Sequence, residues 1–327
     1  MRSTSTWLIT GGAGYIGSHI ADEFLASGKD VVLYDSLQSG LLSRVEFLRR
    51  KHNKEIALVV ADLRDETSLH KTFTLYNPIG VVHAAALKSV AESMQQPGEY
   101  MEVNYESTKR LLAIAAKQLV KDFIFASTAA IYGSPENSGP IGEDNLKKPI
   151  SPYGSSKLLA ENEINKYLRN STFKGTSLRF FNVIGSVSLD LMDNSVENLI
   201  PIVMNSLKFK QKPIIYGTDY KTPDGTCIRD YVDVRDIARA SLSVADSSGE
   251  LPYAMNVGTG KGVSVREVIE LVAKTSGQNN FEVIEADRRQ GDPAILFAEI
   301  SLIKERLGFT SKFSLEESIQ SLYTDNS

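Results

Sequence analysis

Residues 10–17 read TGGAGYIG. They follow a short β-branched run, TWLIT at 6–10, and lead into a helical pattern over 16–27. Gly11, Gly14 and Gly17 form a G-x-x-G-x-x-G series. Between a strand and a helix, such glycines allow a tight turn, close approach of a pyrophosphate to the backbone, and close helix–strand packing. The helix N-terminus then offers free N–H groups and positive partial charge to phosphates. A glycine-rich loop alone reads as easily as a plain turn, so its setting has to decide. The next strand, DVVLY at 30–34, runs into Asp35, 18 residues beyond Gly17. An acid there accepts hydrogen bonds from both ribose hydroxyls and repels a 2′-phosphate, which favours NAD over NADP. The plainer reading of Asp35 is a turn or cap residue. No Gly-Lys-Ser/Thr follows, which excludes a P-loop.

Outward from that loop, β-branched runs alternate with helical patterns. Further strands are expected at 56–61 (IALVVA), 80–85 (GVVHAA), 122–127 (DFIFAS) and 175–181 (GTSLRFF), with helices over 103–120 and 154–169. Several strands are apolar on both faces, as buried parallel strands are. The alternation predicts an α/β fold: a Rossmann-type doubly wound parallel sheet. Beyond about residue 182 the pattern loosens. Residues 183–198 read as loop, 212–217 (KPIIYG) as a short strand, and 234–246, 264–276 and 314–323 as helices. The expected division is a cofactor-binding domain over 1–181 and a smaller mixed α/β substrate-binding domain over 182–327, whose segments can interleave.

Composition sets the outer bounds. Hydrophobic residues are 42% and charged residues 23% of 327, a globular balance. The 36 Lys and Arg against 40 Asp and Glu give a net charge of −4, with no basic run to suggest nucleic acid. A single cysteine, Cys227, rules out an intrachain disulfide and fits a reducing compartment. No apolar run of about 18 residues and no signal-peptide pattern is present, so the expected setting is cytoplasmic, away from membranes.

Along the expected carboxyl edge of the sheet, Asp62 in VVADL is placed either to meet an adenine or to cap a helix. Ala84 and Ala85 in HAAALK are small enough to let a cofactor lie close, and Lys88 can reach its ribose or phosphate. His83 reads as a packed strand residue. Downstream, SPYGSSK at 151–157 sets Tyr153 four residues before Lys157, one helical turn apart on one face. Tyr-x-x-x-Lys is common by chance, and most matches are surface pairs. Here Pro152 lies two residues before a helical pattern that begins around Gly154, and Ser127-Thr128 ends a strand 25 residues upstream of Tyr153. A phenol of pKa near 10 is too weak a base at neutral pH. An ammonium one turn away, together with a positive nicotinamide ring, stabilises the phenolate. Thr128 can then share a hydrogen bond with a substrate hydroxyl.

Taken in order, TGGAGYIG, Asp35, Asp62, STAAIYG, SPYGSSK and LRFFN resemble the extended short-chain dehydrogenase/reductase family, over almost the full length. The most specific stretches are TGGAGYIGSH (10–19), ALKSVAESMQQPGEY (86–100), TDYKTPDGTCIRDYVDV (218–234) and RRQGDP (288–293). The resemblance implies a homodimer built on the helices at 103–120 and 154–169. It also implies an NAD-dependent isomerase that inverts C4′ of a UDP-hexose through a 4-keto sugar. Its catalytic residues would be Tyr153, Lys157 and Thr128. Tyr15 and Ile16 match backbone pyrophosphate contacts, Leu63 accompanies Asp62, and Asn104 matches a cofactor-side asparagine. Phe181, Asn182, Asn198, Tyr216, Arg229, Arg289 and Asp292 match the uridine-diphosphate side, where arginine forks suit a diphosphate.

Relatives that eliminate water carry an acid just after the threonine of the fifth strand. Here Thr128 is followed by Ala129 and Ala130, so oxidation is expected without dehydration. The chain also departs from the family pattern. Phe-Asn-Pro becomes Phe181-Asn182-Val183, the loop GSVSLDLMDNSVE at 185–197 lacks the usual glycines and prolines, and Leu296 stands where some relatives carry a pocket-limiting tyrosine. Leucine is smaller, which leaves room for a UDP-N-acetylhexosamine; a UDP-uronate is a further alternative substrate. A regulator that only binds sugar nucleotides is the non-enzymatic alternative, since fold does not fix function. The intact Thr128, Tyr153 and Lys157 set argues against it.

Overall fold

The computed structural model describes residues 6–118, 120–135, 138–170, 174–195, 197–278, 280–289 and 291–324. Leu119, Val196 and Gln290, which fall within segments read above, lie outside the described residues.

The first half alternates as the hydrophobic runs require. Its order is β1 (Thr6–Thr10), α1 (Tyr15–Ala26), β2 (Asp30–Asp35), α2 (Leu42–His52), β3 (Ala57–Val60), α3 (Glu66–Tyr76) and β4 (Gly80–His83). Then come α4 (Val90–Gln95), α5 (Pro97–Tyr100), a π-helical stretch (Met101–Glu106), α6 (Ser107–Lys117), β5 (Asp122–Thr128), α7 (Pro152–Asn170) and β6 (Lys174–Phe180). The second half holds β7 (Asn182–Ile184), α8 (Leu199–Lys208), β8 (Ile214–Tyr216), β9 (Ile228–Arg229), β10 (Tyr231–Asp233), α9 (Val234–Asp246) and β11 (Ala254–Val257). It closes with β12 (Val263–Ser264), α10 (Val265–Thr275), β13 (Ile284–Ala286), β14 (Ile295–Leu296), α11 (Ser301–Leu307) and α12 (Leu315–Gln320).

Seven strands form one parallel sheet in the order β11-β6-β5-β4-β1-β2-β3. The chain steps outward in one direction through β2 and β3, then crosses back to β4 and continues the other way. That reversal opens a crevice between the carboxyl ends of β1 and β4, where open α/β sheets take their ligands. Alternation along β1 explains the two covered faces: Trp7 and Ile9 enter the cluster with Ile20 and Phe24 of α1, while Leu8 enters the cluster with Leu112 of α6 and Ile164 of α7.

The last strand of this sheet, β11, comes from the 182–327 half, and α9 of that half packs on α1. The rest of that half makes small sheets, β12-β9-β14, β13-β8 and β10-β7, around its own core of Ile200, Val203, Ile215, Val268 and Val272.

Two expectations need correction. Residues 183–198 are not all loop: Asn182–Ile184 form β7 and pair in parallel with Tyr231–Asp233, and a 3-10 turn covers Leu189–Leu191. The β-branched pair Val183-Ile184 prefers that ladder once β10 is in place, and the pairing partner lies about fifty residues away, out of reach of a local pattern. The helix expected at 103–120 is π-helical over Met101–Glu106 and α-helical only over Ser107–Lys117. The widened turns project Asn104 sideways, and its side chain bonds both backbone groups of Leu87.

Candidate active site

At the crevice, Gly11 leaves β1 with φ +68, and a Cβ there would lie 2.7 Å from the Ala85 nitrogen. A Cβ on Gly17 would lie 2.1 Å from the Gly11 carbonyl oxygen. The loop is therefore a close-packed turn in which backbone lines the space. Gly14 caps α1 without a side-chain hydrogen bond, and the first turn of α1 carries no acid, so the helix N-terminus opens uncapped into the crevice. Ile16 sits in that first turn. Tyr15 beside it sends its hydroxyl to the Gly185 carbonyl at 2.6 Å, tying the cofactor loop to the far half of the chain.

Asp35 is buried, with its carboxylate accepting from the Ala13 N–H at 3.0 Å and the Leu37 N–H at 2.8 Å. It braces the glycine-rich loop from the end of β2. Asp62 does not cap a helix; Asp65 caps α3 by accepting from the Ser68 N–H. The Asp62 carboxylate instead accepts from Arg64 (Nε at 3.0 Å, Nη2 at 2.8 Å), which holds its pKa below the usual carboxylate range. Leu63 is buried beside it in the core. β4 ends at His83, two residues earlier than expected, and Ala84 and Ala85 return to β1 through N–H bonds to the Thr10 carbonyl and hydroxyl. His83 is fully buried between the Thr10 and Thr108 hydroxyls at 2.7 and 2.8 Å, and burial drops its pKa to about 3. It is a neutral packing residue.

This set fits NAD. The loop leaves backbone space that any Cβ would fill, the α1 N-terminus is free of competing acids, and the residue closing β2 is an acid. Asn104 is not directed at that space: it is buried and bonded to Leu87 and to Ser156 Oγ, so it shapes the wall at residues 86–88.

Tyr153 and Lys157 lie on α7 against the end of β5. Ser151 caps this helix through the Gly154 N–H at 3.1 Å. Gly154 is required by packing, because a Cβ there would come within 2.8 Å of the Ala130 carbonyl oxygen. Thr128 begins the 3-10 turn Ala129–Tyr132, accepting from the Ala130 N–H at 3.1 Å, and its hydroxyl lies close enough to the Tyr153 phenol to act on its pKa. Burial raises the phenol's pKa above its ordinary value while Thr128 lowers it. The Lys157 ammonium is not turned to the phenol. It donates to the Ala126 carbonyl at 2.8 Å and lies 4.6 Å from the centre of the Phe125 ring. Burial pulls its pKa down to about 7, opposed by the Glu161 carboxylate. A chargeable group with a pKa near neutrality one helical turn from a buried phenol is chemically able to take part in proton transfer.

On the other side of the crevice, Arg229 is buried, with its guanidinium 3.5 Å from Asp292, and Arg289 stacks 4.0 Å from the centre of the Tyr216 ring. These four form one group. Phe181 is buried with Ala129, Tyr132 and Leu296, while Asn182 is exposed at the start of β7. Leu296 pairs with Arg229 in the β14–β9 register. Lys88 and Asn198 do not join them, because both turn to Asp193, at 3.5 and 2.5 Å.

Sequence reasoning missed Asp193, Arg44 and the Glu161–Arg179 pair. Arg44 is buried and donates to the carbonyls of Ala13 and Met192. Glu161 was within reach of the pattern, since Tyr153, Lys157 and Glu161 recur every four residues along one helix face. Among the described residues, no group of His, Cys, Asp or Glu could hold a metal ion, and no helix is long and apolar enough to cross a membrane.

A doubly wound sheet with a dinucleotide crevice and a tyrosine–lysine pair on its edge defines a class, and residues 7–258 match the NAD dependent epimerase/dehydratase family: the chain belongs to it. UDP-glucose 4-epimerase of Halalkalibacterium halodurans is 38% identical over 324 residues, covering 96% of this chain and 93% of that one. UDP-glucose 4-epimerase from Bifidobacterium longum, solved in complex with NAD+ and UDP, superposes with a TM-score of 0.90 at 34% identity, over 97% of this chain and 96% of that one. The UDP-Glc/GlcNAc 4-epimerase of Campylobacter jejuni superposes with a TM-score of 0.83 at 36% identity, over 98% of both chains.

Proposed function

We propose that this protein is an NAD-dependent epimerase interconverting UDP-galactose and UDP-glucose at C4′. The observation that carries the reading is the Thr128, Tyr153 and Lys157 group at the carboxyl end of β5, with only alanines beyond Thr128. Tyr153 takes the proton of the 4′-hydroxyl, guided by Thr128, as C4′ loses hydride and becomes a ketone. Bound NAD supplies the hydride acceptor and, with no net redox change, the donor for the return. Tyr153 then gives its proton back to the oxygen on the inverted carbon. Lys157 stabilises the phenolate, because a nearby cation favours the charged form. Without an acid after Thr128, the 4-keto sugar has no partner for loss of water. Gly11, Gly14, Tyr15, Ile16, Gly17, Asp35, Asp62, Leu63, Ala84 and Ala85 make the cofactor side; Asn104 supports its wall through Leu87, and Lys88 reaches it only on leaving Asp193. Phe181, Asn182, Tyr216, Arg229, Arg289 and Asp292 make the nucleotide side, where two arginines neutralise a diphosphate, and Asn198 reaches it only on leaving Asp193.

Purified protein given UDP-galactose should form UDP-glucose without added NAD. No interconversion by cofactor-loaded protein would overturn the reading. A UDP-N-acetylhexosamine is the second substrate to test, because Leu296 leaves more room than an aromatic side chain at the wall shared with Phe181. Relative kcat/KM over a panel of UDP-hexoses, UDP-N-acetylhexosamines and UDP-uronates decides between them. The proposal includes a homodimer through α6 and α7, where Leu159 is 38% exposed, and a cytoplasmic setting in keeping with one buried cysteine. Sedimentation at micromolar concentration checks the dimer.

A further inference from the structure

Three consecutive residues of β5 hold three consecutive turns of α7. Thr128 stands beside the Tyr153 phenol, and the Ala126 carbonyl accepts from Lys157. Between them, Ser127 Oγ donates to Glu161 Oε1 at 2.5 Å. Glu161 is 2% exposed and its partner Arg179, on β6, is 0% exposed. The guanidinium donates from Nη2 to Oε2 at 2.8 Å and from Nε to Oε1 at 3.0 Å. Its other arm reaches Tyr132 Oη at 2.9 Å, and Tyr132 in turn donates to Asn256 at 2.7 Å. Taking two ions out of water is costly, and apolar residues of equal volume would pack this position at least as well. A charge retained one turn beyond Lys157, on the same helix face, calls for a role.

We propose that Glu161, fixed by Ser127 and Arg179, is a positioning residue for the proton-transfer pair: it locks α7 to β5 and keeps the Lys157 ammonium charged behind the phenol. This rests on the assignment of Tyr153 and Lys157 above. Other charges around the pair do not replace it. His83 faces Lys157 from β4 and is kept neutral by burial. Glu143 and Lys147, from the loop before α7, lie on the Arg179 side; burial raises the Glu143 pKa and lowers that of Lys147, pushing both toward their neutral forms. Glu161 is the carboxylate that opposes the desolvation of Lys157.

The test is the pH profile of kcat for UDP-galactose conversion by the NAD-loaded enzyme. Glu161→Gln removes a negative charge and leaves Arg179 positive, so both the ammonium and the phenol lose protons more readily. Both limbs should move to lower pH by roughly one unit or more, with KM within a few-fold of the parent. Glu161→Asp keeps the charge and should keep the profile, even if kcat falls. Should Glu161→Gln not fold, Glu161→Gln with Arg179→Met leaves no unpaired buried charge and carries the test, with a smaller shift in the same direction. A folded variant lacking Glu161, slowed equally at every pH, would overturn the inference and leave a structural role only. A parent that does not convert UDP-galactose, or a Tyr153→Phe variant that does, would defeat the underlying assignment instead.

Discussion

The β5–α7 edge and the residues assigned to the UDP-sugar are held in different ways. Along β5–α7, each working side chain is anchored by a group behind it: Lys157 by the Ala126 carbonyl, Tyr153 by Thr128, Asn104 by Leu87. Elsewhere the side chains assigned to ligands are bonded to carboxylates, as Lys88 and Asn198 are to Asp193 and Arg229 is to Asp292. One side is preorganised, as the proposed chemistry needs, since small displacements there would cost large factors in rate. The other is held by contacts that a ligand can exchange for its own.

Variants on the two sides should therefore fail differently. The largest effect falls on the anchored side: Tyr153→Phe should lower kcat by about 10²–10⁴ with KM little changed, read from steady-state turnover of UDP-galactose. A drop of less than about tenfold would remove Tyr153 from its role. Across the crevice, Arg229→Met should raise KM by roughly ten- to a hundred-fold, as loss of a charge-assisted hydrogen bond does, with a smaller change in kcat. An equal fall in kcat would erase the contrast.

Gly154→Ala forces a Cβ to within 2.8 Å of the Ala130 carbonyl oxygen, moving the helix that bears Tyr153. Its kcat should fall about tenfold and its Tm by a few degrees, a cost typical of overpacking. Lys157→Met separates stability from activity. The folded protein holds Lys157 down to about 7 from its ordinary 10.5, so between those values the unfolded chain binds more protons and stability rises with pH. The variant should melt a few degrees higher than the parent at pH 7, lose that advantage toward pH 10, and be nearly inactive. Least of all, Asp193→Ala should release Lys88 and Asn198 and lower KM by a few-fold, since a half-exposed pair contributes little. An unchanged KM would mean the loop does not compete with the substrate.

The same contrast governed what could be read in the chain itself. Strand and helix positions around the glycine loop followed from periodicity and turn chemistry, both local. The tyrosine–lysine pair followed from one helical turn. Glu161 repeats that spacing, but its partner Arg179 lies on another strand and no local rule links them. Likewise Asp193 contacts Lys88 across more than a hundred residues, and β7 forms only because β10 arrives beside it. The loop after β7, whose one glycine is Gly185, is tied by Arg44 and Tyr15 reaching from the first half. Sequence patterns report near neighbours, and that side is assembled from distant ones.

The place of β11 in the sheet bears on how the molecule is made. β6 carries Arg179, yet its outer edge pairs with Ala254–Val257 from the far half of the chain. A growing chain must therefore emerge through residue 257, plus the length hidden in the ribosome, before that edge is paired. At about 5–20 residues per second, the 74 residues from Phe180 to Ala254 take on the order of ten seconds. During that interval a strand carrying Leu178 and Phe180 stands open, the kind of surface that pairs with the wrong neighbour. A nascent chain stalled before residue 254 should accordingly bind chaperones that a chain stalled well past 257 does not.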